Sequence, residues 1–185
     1  MKVKVLEEHG YSPAVLGFSL SYNTSIERAK ELLPKYAFGK APGENKFLRV
    51  IELWIDVNFP RLIWPECDQY KVATTTLSES TVHTLGKRTL IQEDFIINID
   101  QGMLDIVNKK ILLYQNKEID ILELKSHLPE GFLQRRVWHM NYANFQNIYM
   151  QRKNHKVKLW HTFIDSVLSQ IEHPEFIIPP YEDKK

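Results

Sequence analysis

The stretch "DQYKVATTTLSESTVH", Asp68 to His83, sets a lysine, a tyrosine, a histidine and a run of Thr and Ser hydroxyls close together in mid-chain. Cations and hydroxyl donors are what a phosphate group needs, and a tyrosine ring is a plane on which another ring can stack. Farther along, "RKNHK" gathers Arg152, Lys153, His155 and Lys156. Any phosphate site would be built from such side chains, because the 7 glycines form no glycine-rich loop. Each element also has a plain structural reading. Ser and Thr satisfy their own backbone in turns, and a basic run commonly compensates a helix C-terminus while facing water. His83, His127 and His139 read as structural, and Lys109 and Lys110 as a solvated helix face.

Composition narrows the partners. Lys+Arg number 24 against 23 for Asp+Glu, in a chain of 185 residues with 43% hydrophobic content. That balance is ordinary for a globular domain and advertises neither DNA nor RNA. Apolar runs break well short of the roughly 20 residues that span a bilayer, so a cytoplasmic protein without membrane contact is expected. The single cysteine, Cys67, leaves no internal disulfide, and the 7 histidines lack H-E-x-x-H spacing. No metal site is expected.

The elements that would position these groups follow from periodicity. "VKVKVL" alternates and predicts an edge strand at the start. Thr24 with Glu27 forms a capping-box pattern before Ile26, Ala29, Leu32 and Leu33, which predicts a helix ending at Pro34. Alternation from Phe47 to Val57 predicts a long central strand closed by Pro60. Helical spacing runs from Gln92 to Leu128, and Pro129 ends it. In "QRRVWHMN", Arg136, Trp138 and Met140 alternate with Arg135, Val137 and His139, a second strand. Two helices joined at Asn154-His155 then lead to an extended tail.

The second half, "HLPEGFLQRRVWHMNYANFQNIYMQRKNHKVKLWHTFI", resembles the C-terminal part of the flavin-dependent thymidylate synthases. The resemblance lies in a Leu128-Pro129 turn, a strand, Asn141 opening a helix, and a Tyr149-x-x-Arg152 step. That family has a strand ending in Ser-Arg, followed after seven residues by the signature R-H-R-x7-S. Counted without gaps from Arg61, Gln69-Tyr70-Lys71 falls on R-H-R, and Glu79, flanked by Ser78 and Ser80, falls on the serine. Only Lys71 keeps a positive charge in the triplet. Ala143 stands where the family often has an arginine, and Arg152 keeps the other. The chain is also similar to proteins of phages of Gram-positive bacteria that carry no assigned activity, in which "YK", a Ser/Thr run with His, an "LP" turn and "IYxxRKxHK" recur.

What the resemblance implies is an α/β (α+β) protein, one synthase-like domain over residues 1–178 with a tail at 179–185. A small mixed or antiparallel sheet would be covered by helices. It implies a homotetramer whose sites form between subunits, bringing together 69–83, 135–141 and 152–156. The ligand-binding candidates are then Tyr70, Lys71, Thr74, Ser78, Ser80, Arg152 and His155, with Arg61, Gln69, His83, Arg135 and Asn141 around them, and no catalytic residue assigned. Three functions stay open. One is a non-catalytic nucleotide-binding phage protein, a sponge for a nucleotide signal of host immunity, with no cofactor. Another is an active synthase that methylates dUMP with FAD. The third is a structural or protein-interaction subunit. Gln and Tyr do not reproduce a bidentate arginine grip on phosphate, which favours the first.

Overall fold

A computed structural model describes residues 1–39, 41 and 43–180. The expected tail therefore lies, from Tyr181 on, outside the described residues. Strand β1 (Val3–His9) opens the chain, and Gly10 turns it at φ +96° into helix α1 (Tyr11–Tyr22). Only glycine fits there, since a Cβ would stand 2.0 Å from the Val50 carbonyl oxygen. Periodicity does not reveal α1, because its apolar residues lie on every side: Ala14, Val15 and Phe18 are buried while Leu16 and Leu20 are exposed.

Helix α2 (Ile26–Tyr36) is capped by Ser25, whose hydroxyl accepts from the Arg28 N–H, one residue later than the expected Thr24 cap. The helix passes Pro34, which it accommodates in its last turn. Residues Lys46–Arg49 form a 3-10 turn, so strand β2 (Glu52–Pro60) is shorter than the alternation suggested and Phe47 is a buried residue of that turn. Leu53, Ile55, Val57 and Phe59 are fully buried, as period 2 requires.

The polar stretch in mid-chain is more than a loop. Helix α3 (Trp64–Cys67) precedes it, strand β3 (Thr74–Ser78) forms its centre and helix α4 (Thr81–Thr84) its end. Threonine suits that strand because its branched Cβ packs well on a pleated surface. Helices α5 (Gln101–Gln115) and α6 (Ile121–Ser126), strand β4 (Leu133–Asn141), and helices α7 (Tyr142–Arg152) and α8 (Leu159–Leu168) complete the described α-helices and strands.

The four strands form one antiparallel sheet in the order β1-β2-β4-β3. Hydrogen bonds from Arg61 N–H to the Phe132 carbonyl and from Tyr142 N–H to the Ile51 carbonyl fix the β2–β4 register. Glu79 N–H to the Arg135 carbonyl continues the β3–β4 ladder.

Compactness divides the chain into two units. The first comprises residues 1–2, 57–70 and 77–137, and its helical core is built from Leu85, Leu90, Phe95, Leu104, Val107, Ile111, Leu124, Leu128 and Phe132. Asn108 ties this core to its own loop by bonding both the N–H and the carbonyl of Leu90. The second comprises 3–56, 71–76 and Trp138 onward. Its core centres on Phe163, whose ring lies 5.7 Å from that of Trp138, 6.1 Å from Trp160 and 6.2 Å from Phe145. Burying each such ring contributes about 1.5–3 kcal/mol, so these contacts anchor α7 and α8.

Candidate functional site

In the first unit, the polar groups gather around β4. Glu79 donates its N–H to the Arg135 carbonyl at 2.8 Å, and its carboxylate faces the Arg135 N–H at 3.4 Å. Gln134 donates its side-chain amide to the Glu79 carbonyl at 2.9 Å, and the Gln134 carbonyl accepts from the Trp64 indole N–H at 3.0 Å. Arg136 lies over Trp64, its guanidinium carbon 4.2 Å from the ring centroid, and reaches Asp68 at 3.3 Å and the Gln134 side-chain oxygen at 3.2 Å. Burial pulls the Arg136 pKa below the usual arginine value, with Asp68 opposing that shift.

Several expected site residues take structural roles here. Tyr70 is buried, 8% exposed, which leaves little of its ring as a stacking plane. Arg61 donates to the Leu128 carbonyl at 3.1 Å and pairs with Glu130 at 3.2 Å, closing the turn at Pro129. Ser80 caps α4 by position, and its carbonyl accepts from the Thr84 hydroxyl. Gln69, Ser78, His83 and Arg135 are exposed.

In the second unit, Arg152 ends α7. Its guanidinium carbon lies 4.7 Å from the Trp160 ring centroid and one of its terminal N–H groups donates to His155 Nε2 at 2.9 Å. The stack and the hydrogen bond fix a cation at the junction of α7 and α8. Lys153 lies 5.3 Å over the Tyr149 ring, so the junction carries two cations on two aromatic faces. Lys71 is exposed and Thr74 half-buried at the start of β3. Between them Ala73 adopts φ +52°, a left-handed conformation that costs a non-glycine residue about 1–2 kcal/mol. The Asn144 side chain holds this turn by donating to the Val72 carbonyl at 2.7 Å. Asn141 is 5% exposed and caps α7, accepting from the Asn144 N–H at 3.0 Å. Its side-chain oxygen is thereby engaged in the helix cap.

Thus the structure joins Arg152 with His155, and Glu79 with Arg135, while it withdraws Tyr70, Arg61 and Asn141 into the scaffold. Two further polar groups on β4 are not among the expected ligand residues. His139, 2.8 Å from Glu52, lies against the Trp54 ring at 4.5 Å between centroids. Arg136 is the other, and its signal was present: it shares the register of Trp138 and Met140, the buried side of β4. An arginine in an apolar register needs a partner.

A cleft of about 560 Å³ in the second unit lies between α1 and the 3-10 turn, lined by Phe18, Tyr22 and Phe47 with Glu44 and Lys46 at hand. Among the described residues no three His, Cys, Asp or Glu side chains gather as metal ligands. No described helix is long and apolar enough to cross a membrane.

No protein-family model and no curated protein matches the chain. Solved structures do. Thymidylate Synthase X (ThyX) from Helicobacter pylori with FAD and dUMP superposes at a TM-score of 0.79 over 100% of both chains, with 13% identity. A second complex of the flavin-dependent thymidylate synthase ThyX from the same organism, also with FAD and dUMP, gives 0.79 and 13% over 98% of this chain and 99% of that one. At this identity the likeness is one of fold: the antiparallel sheet and helices follow the ThyX arrangement.

Proposed function

We propose that this chain is a nucleotide-binding protein that uses the ThyX-like fold without its flavin chemistry. The observation that carries the reading is the Arg152 junction, where Trp160 and His155 hold a guanidinium in place at 4.7 and 2.9 Å. A positioned guanidinium recognises phosphate in a planar, two-bond fashion that a mobile lysine does not. The ThyX complexes that share the fold contain dUMP, which makes a nucleotide the natural ligand class.

The case against flavin rests on the residues at the signature positions. Where the resemblance sets a serine, Glu79 presents a carboxylate beside the β4 backbone. Where it sets the central histidine, Tyr70 is buried. A carboxylate repels the diphosphate of FAD, and Lys71 is the one cation left in the triplet. This donor set fits FAD poorly.

Binding without turnover needs grip and stacking but no hydride and no base. In a phage such a protein would sequester a nucleotide signal of host immunity. A homotetramer would supply a multi-chain site, and the exposed Leu16 and Leu20 of α1, at 51% and 73%, are surfaces suited to association. A second reading, an active synthase methylating dUMP, is favoured by the full-length likeness to FAD and dUMP complexes. The absorption spectrum of the purified protein separates the two. Flavin bands would support the synthase, while a colourless protein that releases a nucleotide on denaturation would support the binder.

A further inference from the structure

Arg136 is a charged group on the buried side of a strand, with 15% of its side chain exposed. Such a charge is costly unless its donors are satisfied. Here its satisfaction is incomplete. The bonds to Asp68 and Gln134 measure 3.3 and 3.2 Å, longer than the roughly 2.7–2.9 Å of charge-assisted pairs, and its buried Nε has no hydrogen-bond partner among the described residues. Its ionic partner among the described residues, Asp68, is 52% exposed and sits at the end of α3. Meanwhile the guanidinium sits over Trp64, which is 1% exposed and itself bonded to the Gln134 carbonyl. The fold thus fixes the cation firmly and its counter-ion loosely. The same network reaches Glu79 through Gln134, so it ties both ends of the Asp68–Glu79 stretch.

We propose that Arg136 is an oxyanion-binding residue, and that Asp68 holds the place of a phosphate group that displaces it. With the guanidinium seated on the buried Trp64 indole and its Nε unspent, the half-exposed Asp68 carboxylate is a partner that an incoming anion can displace. The ligand being a nucleotide rests on the function proposed above, whereas recognition of phosphate by Arg136 does not. The sequence offered Arg135 for this role, but that residue lies in the exposed register of β4.

The test uses the full chain and two probes, inorganic pyrophosphate and dUMP, titrated by calorimetry into the parent, Arg136→Lys and Asp68→Asn. Circular dichroism establishes that each is folded. Arg136→Lys keeps the charge but loses the planar fork, and is expected to weaken pyrophosphate binding about tenfold or more. Asp68→Asn removes the competing anion and is expected to tighten it about two- to fivefold. If both variants bind pyrophosphate as the parent does and only their melting temperatures move, Arg136 is structural and the proposal falls. Should dUMP bind the parent and Arg136→Lys equally while pyrophosphate binds neither, the proposal also falls and the nucleotide-binding reading stands. Pyrophosphate binding that depends on Arg136, with no binding of dUMP, supports the phosphate site and counts against a nucleotide of that kind. A parent that binds neither probe overturns the proposal outright.

Discussion

The guanidinium of Arg152 lies 4.7 Å over the indole of Trp160 while donating to His155 Nε2 at 2.9 Å. Arg152→Ala is expected to weaken nucleotide binding by about 1.5–3 kcal/mol, roughly 10- to 150-fold, with melting temperature little changed. Lys71→Ala should act in the same direction, as an exposed and more weakly placed cation. The control is Lys109, which is exposed on α5. Lys110, expected on the same solvated face, instead pairs with Glu123 at 2.6 Å and is unsuitable. Calorimetry of the three variants is the check, and equal loss in Lys109→Ala would indicate diffuse attraction.

Gly10→Ala should be strongly destabilising. Its φ of +96° is unfavourable for alanine, and the added Cβ would meet the Val50 carbonyl at 2.0 Å. A loss of about 2 kcal/mol or more is expected, read as a lower urea midpoint at unchanged slope.

The first unit carries an acid-sensitive pair. Burial would raise the Asp94 pKa, but hydrogen bonds from Arg88 and from the Ile91 N–H outweigh it and leave the carboxyl below the usual aspartate value. A depressed folded-state pKa contributes stability above the unfolded value, near pH 4, that is lost as pH falls through the folded one. Asp94→Asn should therefore be less stable than the parent at neutral pH, with the gap narrowing below about pH 4. Urea melts across pH measure it, and a constant gap would show that the pair contributes no linkage.

Association is expected to involve α1. Light scattering of the parent should exceed the 21.8 kDa of one chain, and Leu20→Lys, at a residue 73% exposed, should lower the mass without unfolding. A parent that scatters as a monomer at micromolar concentration would remove the shared-site arrangement.

Where burial alternates cleanly, the sequence was legible. β2 and β4 stood out because Leu53, Ile55 and Val57, or Trp138 and Met140, recur at period 2 against polar neighbours. α1 did not, since an uncharged helix with Leu16 and Leu20 turned outward has no polar face to reveal its period. β3 was hidden for a different reason. Its Thr and Ser residues carry turn propensity as single residues, and pairing with β4 overrides that preference. Among the candidate residues, Arg152 and His155 stand in a basic run at a helix end that is visible in sequence, and the structure brings their side chains together. Tyr70, whose ring offers a stacking plane in the sequence, is buried, and Asn141 caps α7, both of which only three-dimensional packing decides. Arg136 was written into the alternation of β4 and could have been noticed there as the charge on its apolar side.

The central claim, a nucleotide held without flavin, is tested most directly by calorimetric titration of the parent chain. The panel is mono-, di- and cyclic nucleotides with FAD among them. The expected result is saturable binding of at least one nucleotide and none of FAD. Binding of FAD, or of nothing in the panel, would contradict the account.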